Sequence, residues 1–265
     1  MRDCHNLLIL TDLDGTFLAP HSRPHAKNEE AVRRFLAQGG SFSIATGRMI
    51  QLLDTLVPAC RELVNAPMVL CNGAQLYHPI LKRTVCEQQM ALSPILPILC
   101  EVLRDFHTPI RIEERTGECG VTHSYDDPEK MQAQMQSLAL CDKVVFHGAP
   151  ADLPALRAYL EKTLGTERYA FSYSCPTLLE LADRNATKGG MLKRLKEYFR
   201  QLGEEKIIYA AGDYENDLSM LLAADISACP ENATEQVKQV ARVHLVSNEE
   251  GAIADLVDRI LANQI

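Results

Sequence analysis

Leu7-Leu8-Ile9-Leu10-Thr11-Asp12-Leu13-Asp14-Gly15-Thr16 is the stretch on which the fold turns. Four apolar residues in a row read as a buried strand, and two carboxylates follow at its C-terminal tip. In an open α/β sheet that tip is where ligands bind. Residues two apart on an extended strand point the same way. Two acids on one side repel unless a cation or a shared proton lies between them. The plainer alternative is a strand end closed by an Asp-Gly turn, and these ten residues leave both readings open.

Working outward, strands and helices alternate. Asn28–Gln38 reads as a helix capped by Asn28, with Glu29 and Glu30 in its first turn and Ala31, Val32, Phe35 and Leu36 along one face. Gly39-Gly40 ends it. Ser41–Ala45 reads as a second strand, 49–57 as a helix, and Met68–Cys71 as a third strand. This rhythm predicts a parallel sheet with helices on both faces. From residue 83 to 183 the rhythm changes to adjacent strand pairs mixed with helices, including a helix over Pro128–Leu140. The α/β rhythm then returns: a helix from Lys188, a strand over Ile207–Ala211, a helix from Asn216, a strand over Ile226–Cys229. The expectation is a doubly wound, Rossmann-like parallel-sheet core made of residues 1–82 and 184–265. An α+β domain of residues 83–183 interrupts it.

Composition narrows the class. The 265 residues are 46% hydrophobic and 23% charged, an ordinary globular balance. A net charge of −8 argues against nucleic acid as the main partner, because phosphate backbones need a basic footprint. It leaves room for a small phosphorylated ligand. No apolar run approaches bilayer length, and the first six residues lead straight into the strand, which predicts no signal peptide. Nine scattered cysteines without a C-x-x-C pair read as reduced cytosolic thiols and small buried hydrophobes.

Four segments at strand ends or helix starts carry candidate chemistry. They are Asp12/Asp14; Ala45-Thr46-Gly47-Arg48; Thr187-Lys188-Gly189, which opens a helix; and Gly212-Asp213-Tyr214-Glu215-Asn216-Asp217. A lysine in the first turn opposes the helix dipole, yet the same place suits an anion. Each residue also has a plainer role. Lys188 could reach into water, Thr46 could bond its own backbone, Arg48 could be a solvated helix-start residue, and Asp217 could cap its helix. Taken together, Asp12, Asp14 and Asp213 suit a hard divalent cation such as Mg²⁺. Thr46 and Lys188 suit phosphoryl oxygens, and the set meets the needs of phosphoryl transfer.

These motifs, in this order and spacing, resemble the haloacid dehalogenase-like superfamily. Within it they resemble the Cof-type phosphatases, whose large C2-type (C2B) cap is inserted after the second motif. Asn72-Gly73-Ala74 matches the Asn-Gly-Ala element of that subfamily. One departure is the segment Ala228-Cys229-Pro230-Glu231-Asn232-Ala233, where relatives often carry Met-Gly-Asn-Ala.

The resemblance implies roles. Asp12 would be the nucleophile that forms an aspartyl-phosphate, and Asp14 the acid and then the base. Thr46 and Lys188 would hold phosphoryl oxygens, with Gly47, Arg48, Asn72 and Asn216 at the substrate. Mg²⁺ would be held by Asp12, the Asp14 carbonyl and Asp213. Asp217 would act through water or position Lys188. The insert would be a cap that reads the leaving group, with Arg111, Glu113, His123, Tyr125, His147 and Tyr173 as polar candidates. The implied enzyme is a Mg²⁺-dependent phosphatase of small phosphorylated metabolites, sugar phosphates foremost, in the cytoplasm. A phosphotransferase or sugar-phosphate mutase, and a non-catalytic sugar-phosphate sensor, are the alternatives.

Overall fold

The computed structural model describes residues 3–116 and 119–265; Met1 and Arg2, part of the N-terminal reading, lie outside them. Five strands run parallel in the order Val243–His244, Ile226–Cys229, Ile207–Ala211, Leu7–Thr11, Ser41–Ile44. A parallel bridge from Ala45 to Val69 brings Met68–Leu70 alongside the last of them. Period-two alternation sets the layers. Leu7 and Ile9 pack with Phe35 and Leu256, from helices Ala26–Ala37 and Ala252–Leu261. Leu8 and Leu10 turn the other way, onto Leu192, Leu195 and Met220. Both faces are therefore covered, as expected for a doubly wound α/β sheet.

Connectivity creates the crevice. From Leu7–Thr11 the chain moves to Ser41–Ile44 on one side, and it later returns to Ile207–Ala211 on the other. The strand order reverses between these neighbours, and their C-terminal ends open a cleft there. Thr11 and Ala211 are register partners, so the residues that follow them begin side by side.

A second, antiparallel sheet has the order Tyr169–Cys175, Leu178–Asp183, Lys143–His147, Ile110–Thr116, Cys119–Tyr125. Helices Leu96–Glu101, Pro128–Met135 and Leu153–Leu164 cover one face. Leu99, Met131 and Leu156 meet Ile112, Val144, Phe146, Leu179 and Leu181 there. The alternate residues Arg111, Glu113, Lys143 and Glu180 occupy the opposite face, above the tips of the parallel strands.

Three details differ from the sequence reading. Residues 83–87, for which the sequence reading gives no strand, form the strand Arg83–Glu87, hydrogen-bonded to Gln75–His78 in a small antiparallel sheet with Met68–Leu70. The helix expected over Pro128–Leu140 ends at Met135, and Leu140–Cys141 pairs instead with Met90–Ala91. Asn28 is not a cap: the helix starts at Ala26, and Asn28 is fully buried inside it. Its amide donates to the Phe17 carbonyl at 2.7 Å and accepts from the Ala254 N–H at 2.9 Å. Two backbone groups from distant segments are satisfied by one side chain, which outweighs the propensity of Asn for a helix end. None of the cysteines with described side chains forms a disulfide. No described helix is long and apolar enough to cross a membrane.

Asn28→Ala leaves both backbone groups buried without partners and is expected to cost about 3 kcal/mol. A lowered urea midpoint with an unchanged m-value is the result that checks it.

Candidate active site

The site is assembled around one ammonium group. Lys188 is the first residue of its helix, and the Thr187 hydroxyl caps that helix by accepting from the Gly190 N–H at 2.9 Å. The Lys188 side chain does not reach into water. It is 0% exposed, and Nζ donates to Asp12 Oδ1 at 2.5 Å and to Asp217 Oδ1 at 2.6 Å. Two carboxylates thus replace the solvent that a first-turn lysine would otherwise seek. Gly73 makes the approach possible, since a Cβ there would lie 2.3 Å from the Thr187 backbone.

The Asp217 side chain makes no cap bond to the helix Leu218–Ala223 and instead faces two ways. Oδ1 accepts from Lys188, while Oδ2 accepts from the N–H groups of Asp213 at 2.9 Å and Tyr214 at 3.3 Å. It therefore ties the loop after Ile207–Ala211 to the lysine. Asp213 accepts from the Thr16 hydroxyl at 2.7 Å, and Gly15, at φ +87°, leaves the space that its carboxylate fills. Carboxylate oxygens of Asp12, Asp213 and Asp217 lie within 4.8 Å of one another.

Crowding these acids shows in their protonation. Burial pushes the Asp12 carboxyl well up; Lys188 opposes this, and the Asp217 and Asp213 carboxylates add to it. Burial and the Asp217 charge raise Asp213 to about 7. Lys188 stays charged: burial works against its ammonium, but Asp12 and Asp217 more than offset it. With all three carboxylates ionised against one ammonium, this pit would be two charges negative, which is the excess that burial resists. A divalent cation cancels that excess, and an all-oxygen donor set suits a hard ion such as Mg²⁺. The residues therefore fit the metal expected of them.

Asp14 and Arg48 lie beside the pit and engage each other. Arg48 Nε donates to Asp14 Oδ2 at 2.8 Å and Nη2 to Asp14 Oδ1 at 2.5 Å, with Ser22 Oγ donating to the same oxygen at 2.8 Å. The Asp14 carboxylate thus stands apart from the Asp12–Asp213–Asp217 trio. The Thr46 hydroxyl accepts from the Arg48 N–H at 3.2 Å, the local backbone bond open to a strand-end threonine.

Asp12, Asp14, Thr46, Gly47, Arg48 and Asn216 all line one cavity of about 470 Å³ between the two sheets. Lys188 and Asp213 are not among its lining residues; Lys188 is joined to the lining through its bond to Asp12. Asn72, in the left-handed region at φ 55°, borders a neighbouring cavity of about 240 Å³ that Asn216 shares.

Two residues that sequence reasoning missed join the sheets. Lys143 Nζ donates to the Gly47 carbonyl and to Glu180 Oε2, both at 3.0 Å. Glu180 also accepts from Asn72 Nδ2 at 2.6 Å, and Asn72 Oδ1 accepts from Asn216 Nδ2 at 3.2 Å. A signal existed: Glu180 stands inside Leu178-Leu179-Glu180-Leu181, where an apolar strand gives no reason for a charge. Of the insert candidates, Arg111 and Glu113 line the larger cavity. His123 instead pairs with Glu114 at 3.2 Å, Tyr125 is packed in the insert's own core, and the Tyr173 ring lies under Arg157. His147 ends its strand outside the cavity lining. The altered loop supports the first motif, with Asn232 Nδ2 donating to the Gly15 carbonyl at 2.8 Å.

Known proteins resemble this chain along nearly its whole length. A sequence model of the haloacid dehalogenase-like hydrolases matches residues 9–257. The 5-amino-6-(5-phospho-D-ribitylamino)uracil phosphatase YwtE of Bacillus subtilis is 27% identical, over 97% of this chain and 98% of its own. The pyridoxal phosphate phosphatase YbhA of Escherichia coli is 28% identical, over 94% and 97%. A haloacid dehalogenase-like hydrolase from Bacteroides thetaiotaomicron superposes with a TM-score of 0.75 at 25% identity, covering 96% of this chain and 99% of that one.

Lys188→Met strands Asp12 and Asp217 without their cation and is expected to cost about 3–5 kcal/mol in metal-free protein near neutral pH. The Asp12 carboxyl, already pushed up by burial, is then held protonated in the folded state but ionises in the unfolded chain, so stability drains away as pH rises. Urea unfolding should show a larger deficit against wild type at about pH 8 than at about pH 5.

Proposed function

The chain belongs to the haloacid dehalogenase-like hydrolases, and from that premise we propose that it is a Mg²⁺-dependent phosphatase of small phosphorylated metabolites, sugar phosphates among them, acting in the cytoplasm. The observation that carries the reading is the buried Lys188 ammonium held between Asp12 and Asp217. A lysine sealed from water at the tip of the first strand has no use in a surface loop. It fits the charge balance that an aspartate nucleophile and a phosphoryl group require. Two relatives named as phosphatases of small phosphorylated molecules, matched over nearly their whole length, support the class.

In this reading an Asp12 carboxylate oxygen attacks phosphorus, and the ester P–O bond breaks. Asp14 gives its proton to the departing alkoxide. Asp14 then takes a proton from water, which attacks the aspartyl-phosphate and releases inorganic phosphate with Asp12 restored. For these transfers Asp14 must leave its paired contact with Arg48. The Thr46 hydroxyl, the Gly47 backbone and Lys188 hold phosphoryl oxygens; Arg48, Asn72 and Asn216 border the substrate. Asp12, Asp213 and the Asp14 carbonyl would hold Mg²⁺, which supplies neutralising charge to the phosphoryl oxygens. Asp217 belongs to the same acidic cluster and positions Lys188. We take the parallel-sheet unit as the core and the antiparallel unit as a cap that excludes water, and we place the crossing into the cap after Glu87.

Asp12→Ala should lower phosphate release from p-nitrophenyl phosphate by a factor on the order of 10⁴ or more. Retained turnover would remove Asp12 as nucleophile. Asp213→Asn relieves carboxylate crowding and is expected to stabilise metal-free protein by about 1–2 kcal/mol. The same change should abolish the rise in Tm that Mg²⁺ gives the wild type, as read by calorimetry with and without the ion.

A further inference from the structure

Three cations of the insert reach across to the parallel-sheet unit: Lys143 to the Gly47 carbonyl, Arg115 to the Ala74 carbonyl, and Arg157 to Glu215. The first two grip backbone. The third grips a side chain of the fourth motif that has no part in the proposed chemistry. Tyr214 and Asn216, on either side of it, line the larger cavity, whereas Glu215 does not.

The bonds around Glu215 have a definite form. Tyr169–Cys175 is an edge strand of the antiparallel sheet, paired only with Leu178–Asp183. Such an edge presents N–H and C=O groups that lack a neighbouring strand. Alternate residues present them to the same side, and here Phe171 and Tyr173 face outward. Arg157 Nη2 donates to the Phe171 carbonyl at 3.3 Å, and the Tyr173 N–H donates to Glu215 Oε2 at 3.2 Å. Arg157 Nη1 completes the ring by donating to Glu215 Oε1 at 2.7 Å. A guanidinium and a carboxylate thus stand where the next strand's donor and acceptor would be. Arg157 is itself fixed, with Nε donating to Glu161 at 2.8 Å and its plane 5.1 Å from the Tyr173 ring centre.

Apolar packing does not close the seam at this point. A cavity of about 240 Å³ opens there, lined by Phe171 and Ser172 from the edge strand and by Glu215 and Asn216 from the motif. Glu215–Asp217 is one helical turn, so where Glu215 is held its neighbours are held too. Asn216 bonds Asn72, and Asp217 gathers the Asp213 and Tyr214 N–H groups.

Resting on the phosphatase reading, we propose that Glu215 is a positioning residue. Through Arg157 and the free edge of Tyr169–Cys175 it fixes the fourth motif against the insert, and with it Asp213 for the metal and Asn216 for the substrate. The motif is fully ordered only while the insert is docked.

The test compares wild type, Glu215→Ala, Arg157→Ala and the double variant. Among its described bonds, Arg157 meets the parallel-sheet unit only at Glu215. Each single change should lower kcat for p-nitrophenyl phosphate about 10-fold and raise the Mg²⁺ concentration for half-maximal rate by about the same factor, with KM for the ester moved less than about 3-fold. The double variant should be no worse than either single one, because the pair acts as a unit. Glu215→Gln keeps an acceptor for the Tyr173 N–H and should fall between wild type and Glu215→Ala. Amide hydrogen exchange supplies a readout without turnover: both single variants should lose protection at Asp213 and Tyr214. A bond that merely supports the fold would lower Tm and leave kcat, the Mg²⁺ requirement and those two amides as in wild type. That result, or additive losses in the double variant, overturns the proposal. If wild type does not hydrolyse p-nitrophenyl phosphate with Mg²⁺ at all, the phosphatase reading itself fails. Exchange then decides the positioning role: faster exchange at Asp213 and Tyr214 in Arg157→Ala supports it, and unchanged exchange removes it.

Discussion

One buried ammonium makes the rest of the site hold together. Lys188 is placed against its own helix dipole and sealed from water, a position that only opposite charge can sustain. Asp12 supplies that charge from the first strand, and Asp217 supplies it from the loop after Ile207–Ala211. The second oxygen of Asp217 gathers the Asp213 and Tyr214 N–H groups, which sets where Asp213 stands. Three segments far apart in sequence are thus located by one nitrogen atom. The acid cluster that results is over-filled with negative charge. Its raised carboxyls are the cost of a site prepared for something positive.

Much of this was legible, and the reason is physical. Strands buried on both faces are continuous apolar runs, so Leu7–Thr11 and Ile207–Ala211 announced themselves residue for residue. Parallel strands also bring their C-terminal ends to one edge, so Asp12, Thr46 and Asp213 could be gathered from order alone. What stayed hidden depended on register or on long-range bonds. Gln75–His78 and Arg83–Glu87 are short, half-polar strands that pair with each other and carry little periodicity of their own. Asn28 looks like a helix cap by composition. It answers instead to Phe17 and Ala254, which no local pattern could reveal. Lys143 and Glu180 lie 37 residues apart. They became neighbours only through antiparallel pairing of strands whose register the sequence does not specify.

That register is also what makes the insert more than a cover. Lys143 pairs with Glu113, and Val145 with both Arg111 and Glu180. Period-two alternation then sends Ile112, Val144, Phe146 and Leu179 into the cap's own core, while the charged residues face the cleft. A one-residue slip would bury the charges and expose the apolar set, so the hydrophobic core of the insert fixes the composition of the cavity wall. The charged face is in turn bonded to the core unit: Lys143 to the Gly47 carbonyl, Glu180 to Asn72, and Arg157 to Glu215 within the fourth motif. These contacts are polar, as in interfaces between units that move. They fall on the loops that carry Thr46, Asn216 and Asp213. One set of side chains therefore both faces the cavity and holds the two sheets together. The hydrogen bonds that hold the insert against the parallel-sheet unit thus run directly into the segments that carry Thr46, Asn72 and Glu215.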